Sequence, residues 1–179
     1  MKNTILSMTA VLGLAAAAPV AQGQGYNPFQ IGASGGIAFP TSDLSTGTNT
    51  GYNIGVLVGY KPQAMPISLR AEAAYNQFGF TNGGGSINIP AFTGNVLYEL
   101  PGMSFTPYVI GGAGLYRLSA GFNGGGTTTA ENDFGFNIGG GIKIPLSTSF
   151  ETFVEARYNR VSTSGNAATF IPVTVGIMF

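Results

Sequence analysis

From Phe29 onward the chain alternates large apolar residues with small or polar ones, and stretches rich in glycine, proline and hydroxyl residues interrupt the pattern at intervals. Successive side chains of a strand point to opposite faces, so a period of two marks strands whose two faces meet different surroundings. The clearest case covers 51–60: Tyr52, Ile54, Val56, Val58 and Tyr60 share one face, and Asn53, Gly55, Leu57 and Gly59 share the other. Eight such segments are read, at 29–39, 51–60, 67–78, 87–100, 105–118, 134–144, 150–161 and 170–179. Their number is even, and their lengths centre on the about 9–11 residues that a tilted strand needs to cross a bilayer. Pro40, Pro62, Pro66, Pro90, Pro101, Pro107 and Pro145 are expected at strand ends or in turns, where no ladder donor is required, with Pro172 three residues inside the last strand.

Alternation alone fits a soluble barrel with an apolar core as well as a membrane barrel with an apolar exterior. The less apolar face separates the two. Ile67, Leu69, Ala71, Ala73 and Tyr75 oppose Ser68, Arg70, Glu72, Ala74 and Asn76, while Phe150, Thr152, Val154, Ala156 and Tyr158 oppose Glu151, Phe153, Glu155, Arg157 and Asn159. Other strands place single charges on the polar face, at Glu99, Arg117 and Lys143. Only 8% of residues are charged, against about 25% in an ordinary domain. A solvated exterior needs many more charges than this, whereas an enclosed lumen needs a few that pair. The apolar face is therefore assigned to lipid. The fold class is all-β, an eight-stranded antiparallel up-and-down transmembrane β-barrel, with a soluble lipocalin-like barrel as the alternative.

Aromatic placement agrees. Phe29, Tyr60, Tyr98, Tyr108, Phe150 and Phe179 are expected outward at one end, and Phe39, Tyr52, Tyr75, Tyr116, Phe134, Phe136 and Tyr158 outward at the other, as two interfacial girdles around an aliphatic band. Odd-numbered strands are followed by polar loops at 40–50, 79–86, 119–133 and 162–169, and even-numbered ones by short links at 61–66, 101–104 and 145–149. Long loops at one end and short turns at the other are the outer-membrane pattern, with the short turns in the periplasm. The N-terminus fits that address: Lys2, an apolar run from Ile5 to Ala18, and the small-x-small site Ala21-Gln22-Gly23 read as a signal peptide over 1–23 cleaved after Gly23, leaving 24–179 as the barrel domain. Removing Lys2 leaves six bases against seven acids, a net charge of −1.

Composition removes most other functions. With no cysteine and no histidine, disulfides, thiolate nucleophiles, Ser-His-Asp triads and His-ligated zinc are excluded. The near-neutral balance, with a pI near 6.1, provides no basic stripe for nucleic acid. Gly83-Gly84-Gly85 and Gly124-Gly125-Gly126 lack the Lys-Ser/Thr ending of phosphate loops and read as flexible loop tips. Glu131-Asn132-Asp133 is an incomplete calcium ligand set.

Two stretches carry a family resemblance: Thr106-Pro107-Tyr108-Val109-Ile110-Gly111-Gly112-Ala113-Gly114 in the fifth strand, and Val173-Thr174-Val175-Gly176-Ile177-Met178-Phe179 in the last. Over residues 24–179 the chain resembles the eight-stranded outer-membrane barrels typified by the OmpA transmembrane domain and OmpX. It does so as a barrel domain only, without the peptidoglycan-binding domain of full-length OmpA. The resemblance implies location in the bacterial outer membrane, contact with its lipids, and a C-terminal signal at Val175, Ile177 and Phe179 read by the barrel-assembly machinery during insertion. It also suggests an interior salt-bridge network. The third and seventh strands are four apart in a ring of eight, so Arg70 and Glu72 are expected to meet Glu155 and Arg157 across the lumen, with Glu99, Arg117 and Lys143 extending the network. Such charges either pair to fill the lumen or filter small ions. Inward glycines leave room either for the long side chains opposite or for water. The family's enzymes rely on a histidine that this chain lacks, so no enzyme, metal or cofactor is expected. The expected role is structural or surface interaction through the four external loops, where extracellular ligands would bind, with a narrow channel for ions or small solutes as the alternative.

Overall fold

The computed structural model describes residues 27–63, 65–100, 104–126, 131–146, 150–163 and 167–179, so the expected signal segment and parts of the third and fourth loops lie outside it. Eight strands follow in chain order: β1 (Phe29–Thr41), β2 (Gly51–Tyr60), β3 (Ile67–Gly79), β4 (Gly85–Glu99), β5 (Thr106–Phe122), β6 (Glu131–Pro145), β7 (Glu151–Val161) and β8 (Ala168–Met178). Each pairs antiparallel with its sequence neighbours, and β8 pairs back onto β1 to close a barrel. Closure removes the unpaired edge that hydrocarbon could not satisfy.

A circuit of paired residues runs from Gln30 through Gly59, Arg70, Asn95, Gly112, Asn137, Asn159 and Phe170 and returns to β1 at Pro40, ten residues further on. That stagger in an eight-stranded barrel tilts the strands by about 40°. Phe29 and Phe39 therefore lie about 25 Å apart in height, at roughly 3.3 Å per residue, which is the thickness of the apolar band of an outer-membrane barrel. Between them the wall exposes Val56, Val96, Val109, Ile138 and Val175, each more than half exposed. Outward rings pair at both rims: Phe29 with Tyr60 (centroids 5.1 Å apart) and Phe150 with Phe179 (5.3 Å) at one, Tyr52 with Tyr75 (6.3 Å) at the other.

At the turn end lie the connections after β2, β4 and β6, and at the loop end those after β1, β3, β5 and β7. A short 3-10 helix, Ser42–Thr46, occupies the first loop. β4, β5 and β6 run further toward the loop end than expected, so the third loop narrows to the span between Phe122 and Glu131. Gly83 reverses the chain between β3 and β4 at φ 72°, a backbone conformation natural to glycine, and its N–H donates to the Phe80 carbonyl.

Seven strands present the expected face to the exterior, and β5 presents the opposite one. Tyr108 and Tyr116, expected in the outer girdles, point inward and are 3% and 2% exposed, while Arg117, expected in the lumen, is exposed on the outside. Apart from Arg117 at the loop end, both alternate sets of β5 are mostly apolar or small, so polarity does not distinguish its faces. Hydrogen bonding does: the Tyr108 hydroxyl donates to Glu155 Oε2 at 2.7 Å and the Tyr116 hydroxyl to Asn159 Oδ1 at 3.0 Å. Glycine is required between these tyrosines, since a Cβ on Gly112 would stand 2.3 Å from the Gly94 carbonyl oxygen, a backbone atom that cannot swing away.

Pro90, inside β4, corrects the expectation that it sits at a strand end or in a turn, while Pro172 lies inside β8, the last strand, as read from the sequence. Each interrupts pairing on one side only. The β4–β5 register breaks between Asn88↔Ser119 and Ala91↔Tyr116, and the β7–β8 register between Ala156↔Val173 and Asn159↔Phe170, while Tyr75↔Pro90 and Ala38↔Pro172 stay in register on the other side. A residue without an N–H loses one ladder and keeps its place in the other.

Candidate functional site

The candidate site is the lumen, which the inward residues fill in layers. At the turn end, Lys143 Nζ meets Glu99 Oε1 at 2.6 Å and Glu151 Oε1 at 3.1 Å, Lys61 Nζ meets Glu99 Oε2 at 2.6 Å, and the Ser68 hydroxyl donates to Glu99 at 3.1 Å. Above this lies a second cluster. Arg70 Nη1 donates to Glu155 Oε2 at 2.8 Å, Arg157 Nε meets Glu155 Oε1 at 2.7 Å, and Arg157 Nη2 donates to Glu72 Oε1 at 2.5 Å. The Arg70 guanidinium also lies over the Phe153 ring, 4.8 Å from its centroid, where the ring face attracts a cation.

Four of the expected residues, Arg70, Glu72, Glu155 and Arg157, are thus brought together from β3 and β7, as the half-circuit spacing of those strands requires. Glu99 and Lys143 form a separate pair nearer the turns, and Arg117 joins neither. Sequence reasoning placed Glu151 on the inward face without joining it to the network, and missed Lys61, which lies just beyond the end of β2, where alternation no longer indicates a face. A charge balance would have found them. Among the described ion pairs, Lys61, Arg70, Lys143 and Arg157 face Glu72, Glu99, Glu151 and Glu155, four bases against four acids.

Toward the loop end the filling changes to amides. Asn53 Nδ2 donates to Asn76 Oδ1 at 2.7 Å, Asn76 Nδ2 to the Ile89 carbonyl at 3.0 Å, and Asn137 Nδ2 to Asn95 Oδ1 at 2.9 Å. Each amide carries both donor and acceptor, so they link without a charge. The last layer is apolar. Phe78 and Phe170 meet edge to face with centroids 5.5 Å apart, and Ala38, Ile89, Val161 and Leu44 close around them. Leu44 comes from the 3-10 helix, whose fold over the barrel mouth is secured by the Thr48 hydroxyl donating to the Leu44 carbonyl at 2.6 Å.

At the turn mouth a crevice of ≈ 10 Å³ remains, bordered by Gln30, Ser68, Arg70, Lys143 and Met178, about the room one water needs. Among the described residues no group of three or more potential metal ligands gathers. On the outer wall of β8, Val175, Ile177 and Phe179 share the outward face beside the β1 seam.

A closed eight-stranded barrel with an apolar wall, interfacial aromatic rims and paired charges inside defines a small transmembrane barrel of the outer-membrane class. The chain belongs to the family described as the outer membrane protein beta-barrel domain, whose model matches residues 7–179. Its location is the bacterial outer membrane. No curated protein matches it in sequence. Solved structures with the same fold include Neisserial surface protein A (TM-score 0.71, 14% identity, covering 87% of this chain and 98% of that one). The N-terminal β-barrel domain of Pseudomonas aeruginosa OprF is similar at TM-score 0.51 and 18% identity, over 87% of this chain and 100% of the other. Ail, the attachment invasion locus protein of Yersinia pestis, is similar at TM-score 0.52 and 14% identity, over 86% and 100%. At these identities the likeness establishes the fold.

Proposed function

We propose that this chain is a surface-interaction and structural protein of the outer membrane, whose filled barrel carries four external loops and conducts no ions. The filling supports this reading best: a charged, fully paired lower lumen under an apolar cap leaves the loops as the accessible surface. Ail, which shares the fold, has been crystallised with the heparin analogue sucrose octasulfate. The loops here have different chemistry, since residues 40–50, 79–86, 119–133 and 162–169 contain no lysine or arginine. Glycine, threonine, serine and asparagine predominate, so the partner is one recognised through hydroxyl and amide hydrogen bonds instead of a polyanion. No catalytic chemistry is assigned. Residues 1–23 are the signal peptide in this reading, and Val175, Ile177 and Phe179 are what the assembly machinery reads before β8 closes on β1.

The test uses proteoliposomes of the refolded chain on arrays of extracellular proteins and neutral glycans. Replacing the four loops by two-residue turns is expected to abolish binding, and raising the salt concentration is expected to leave it unchanged. Binding that survives loop removal overturns the assignment.

A further inference from the structure

Two asparagines of the chain precede a glycine, Asn82 and Asn123, and the fold sets them side by side on the loop surface. Beneath them Phe80 and Phe122 stack with ring centroids 5.7 Å apart. The two asparagines grip the same peptide unit: Asn82 Oδ1 accepts the Gly84 N–H at 3.0 Å, and Asn123 Nδ2 donates to the Gly83 carbonyl at 2.8 Å. Asn82, Gly83, Asn123 and Gly124 are all exposed, so access does not distinguish the two Asn-Gly steps. Hydrogen bonding does. The Gly83 N–H is held by the Phe80 carbonyl at 3.0 Å, whereas the Gly124 N–H has no partner among the described residues.

An asparagine side chain and the backbone nitrogen that follows it can close a five-membered ring, and glycine, with no Cβ, leaves that approach open. The nitrogen attacks in its deprotonated form, so a carbonyl that accepts its proton holds it unreactive. We propose that Asn123 is a site of spontaneous deamidation and that Asn82 is protected from it. Gly124 N loses its proton to solvent and bonds to Asn123 Cγ, the Cγ–Nδ2 bond breaks, and the amide takes up a proton from solvent and leaves as ammonia. Water then adds to either carbonyl of the resulting succinimide and opens it to aspartate or isoaspartate. Cyclisation at Asn82 gives up the bonds of both Gly83 and Gly84, and cyclisation at Asn123 only that of its own Nδ2. The product carboxylate has no proton to donate, so the bond to the Gly83 carbonyl is lost. A negative charge then enters a surface, 79–86 and 119–126, that contains no charged residue. This modification is independent of which partner the loops bind.

The refolded chain in detergent micelles, incubated at mildly alkaline pH and followed by peptide mapping with mass spectrometry, provides the test. Asn123 is expected to deamidate roughly three- to tenfold faster than Asn82, the effect of one further hydrogen bond to be broken. In urea without detergent both sites keep the sequence Asn-Gly-Gly and lose their hydrogen bonds, and the two rates are expected to converge. Gly124→Ala, whose Cβ meets nothing within 4 Å, leaves the fold intact and is expected to slow Asn123 roughly tenfold by crowding the attacking nitrogen, with Asn82 unchanged. Equal rates at the two sites of the folded chain overturn the proposal, as does a faster Asn82. An Asn123 that stays intact while the urea-unfolded chain deamidates, or one that Gly124→Ala does not slow, overturns it too.

Discussion

The two halves of the lumen are bounded by the same eight strands and filled by opposite chemistry. Near the turns, eight ionised groups interlock, and near the loops aromatic and aliphatic side chains close over a row of amides. Filling space would have needed only one of these solutions. Ion pairs are directional, so Arg70–Glu155 and Arg157–Glu72 fix the register of β3 against β7, strands with no backbone contact between them. The apolar cap is non-directional and admits the 3-10 helix by simple burial of Leu44. The charged half thus specifies the barrel, and the apolar half closes it.

The largest effect is expected where the charged half loses one member. Arg157→Ala strands Glu72, whose other oxygen, Oε2, has no hydrogen-bond partner among the described residues, and deprives Glu155 of one of its two arginines. A loss of about 3–5 kcal/mol in reversible urea unfolding from lipid vesicles is predicted. Arg157→Met combined with Glu72→Leu should recover most of it, because an apolar pair of similar volume needs no compensation. If the double change is as damaging as the single one, directionality is not what the charges provide.

In the apolar half, Phe170→Ala removes a ring that is 1% exposed and should cost about 3 kcal/mol, less if Leu44 settles into the space. The same unfolding series measures it. Tyr108→Phe tests the orientation of β5: loss of the bond to Glu155 should cost about 1.5–2 kcal/mol, and an unchanged midpoint would return Tyr108 to the outer girdle. Smallest is Lys61→Gln. Its side chain is 36% exposed, and a change within about 0.5 kcal/mol is predicted.

Much of this arrangement was legible in the sequence, and the exceptions share a cause. Strand number, closure and the outward face of seven strands follow from period two, because lipid tolerates no charge and the lumen accepts a few. The pairing of β3 with β7 follows from ring geometry once the strands are counted. β5 misled because its faces differ little in polarity and its one charge, Arg117, lies at the headgroup rim, where charge no longer identifies the lumen. The hydroxyl partners that orient Tyr108 and Tyr116 come from β7, far away in the chain. The apolar cap was missed for a related reason. Phe78, Ile89, Val161 and Phe170 fall on inward positions, but a lumen assumed polar throughout gave no reason to group them. Pro90 and Pro172 show that a ladder can lose one side and survive, which strand signals cannot distinguish from an end.

The central claim is that side chains fill this outer-membrane barrel. Planar-bilayer recording of the refolded chain tests it most directly. A silent membrane is predicted across the accessible voltage range, with Lys61→Gln equally silent; discrete ohmic steps from the unaltered chain would contradict a filled barrel.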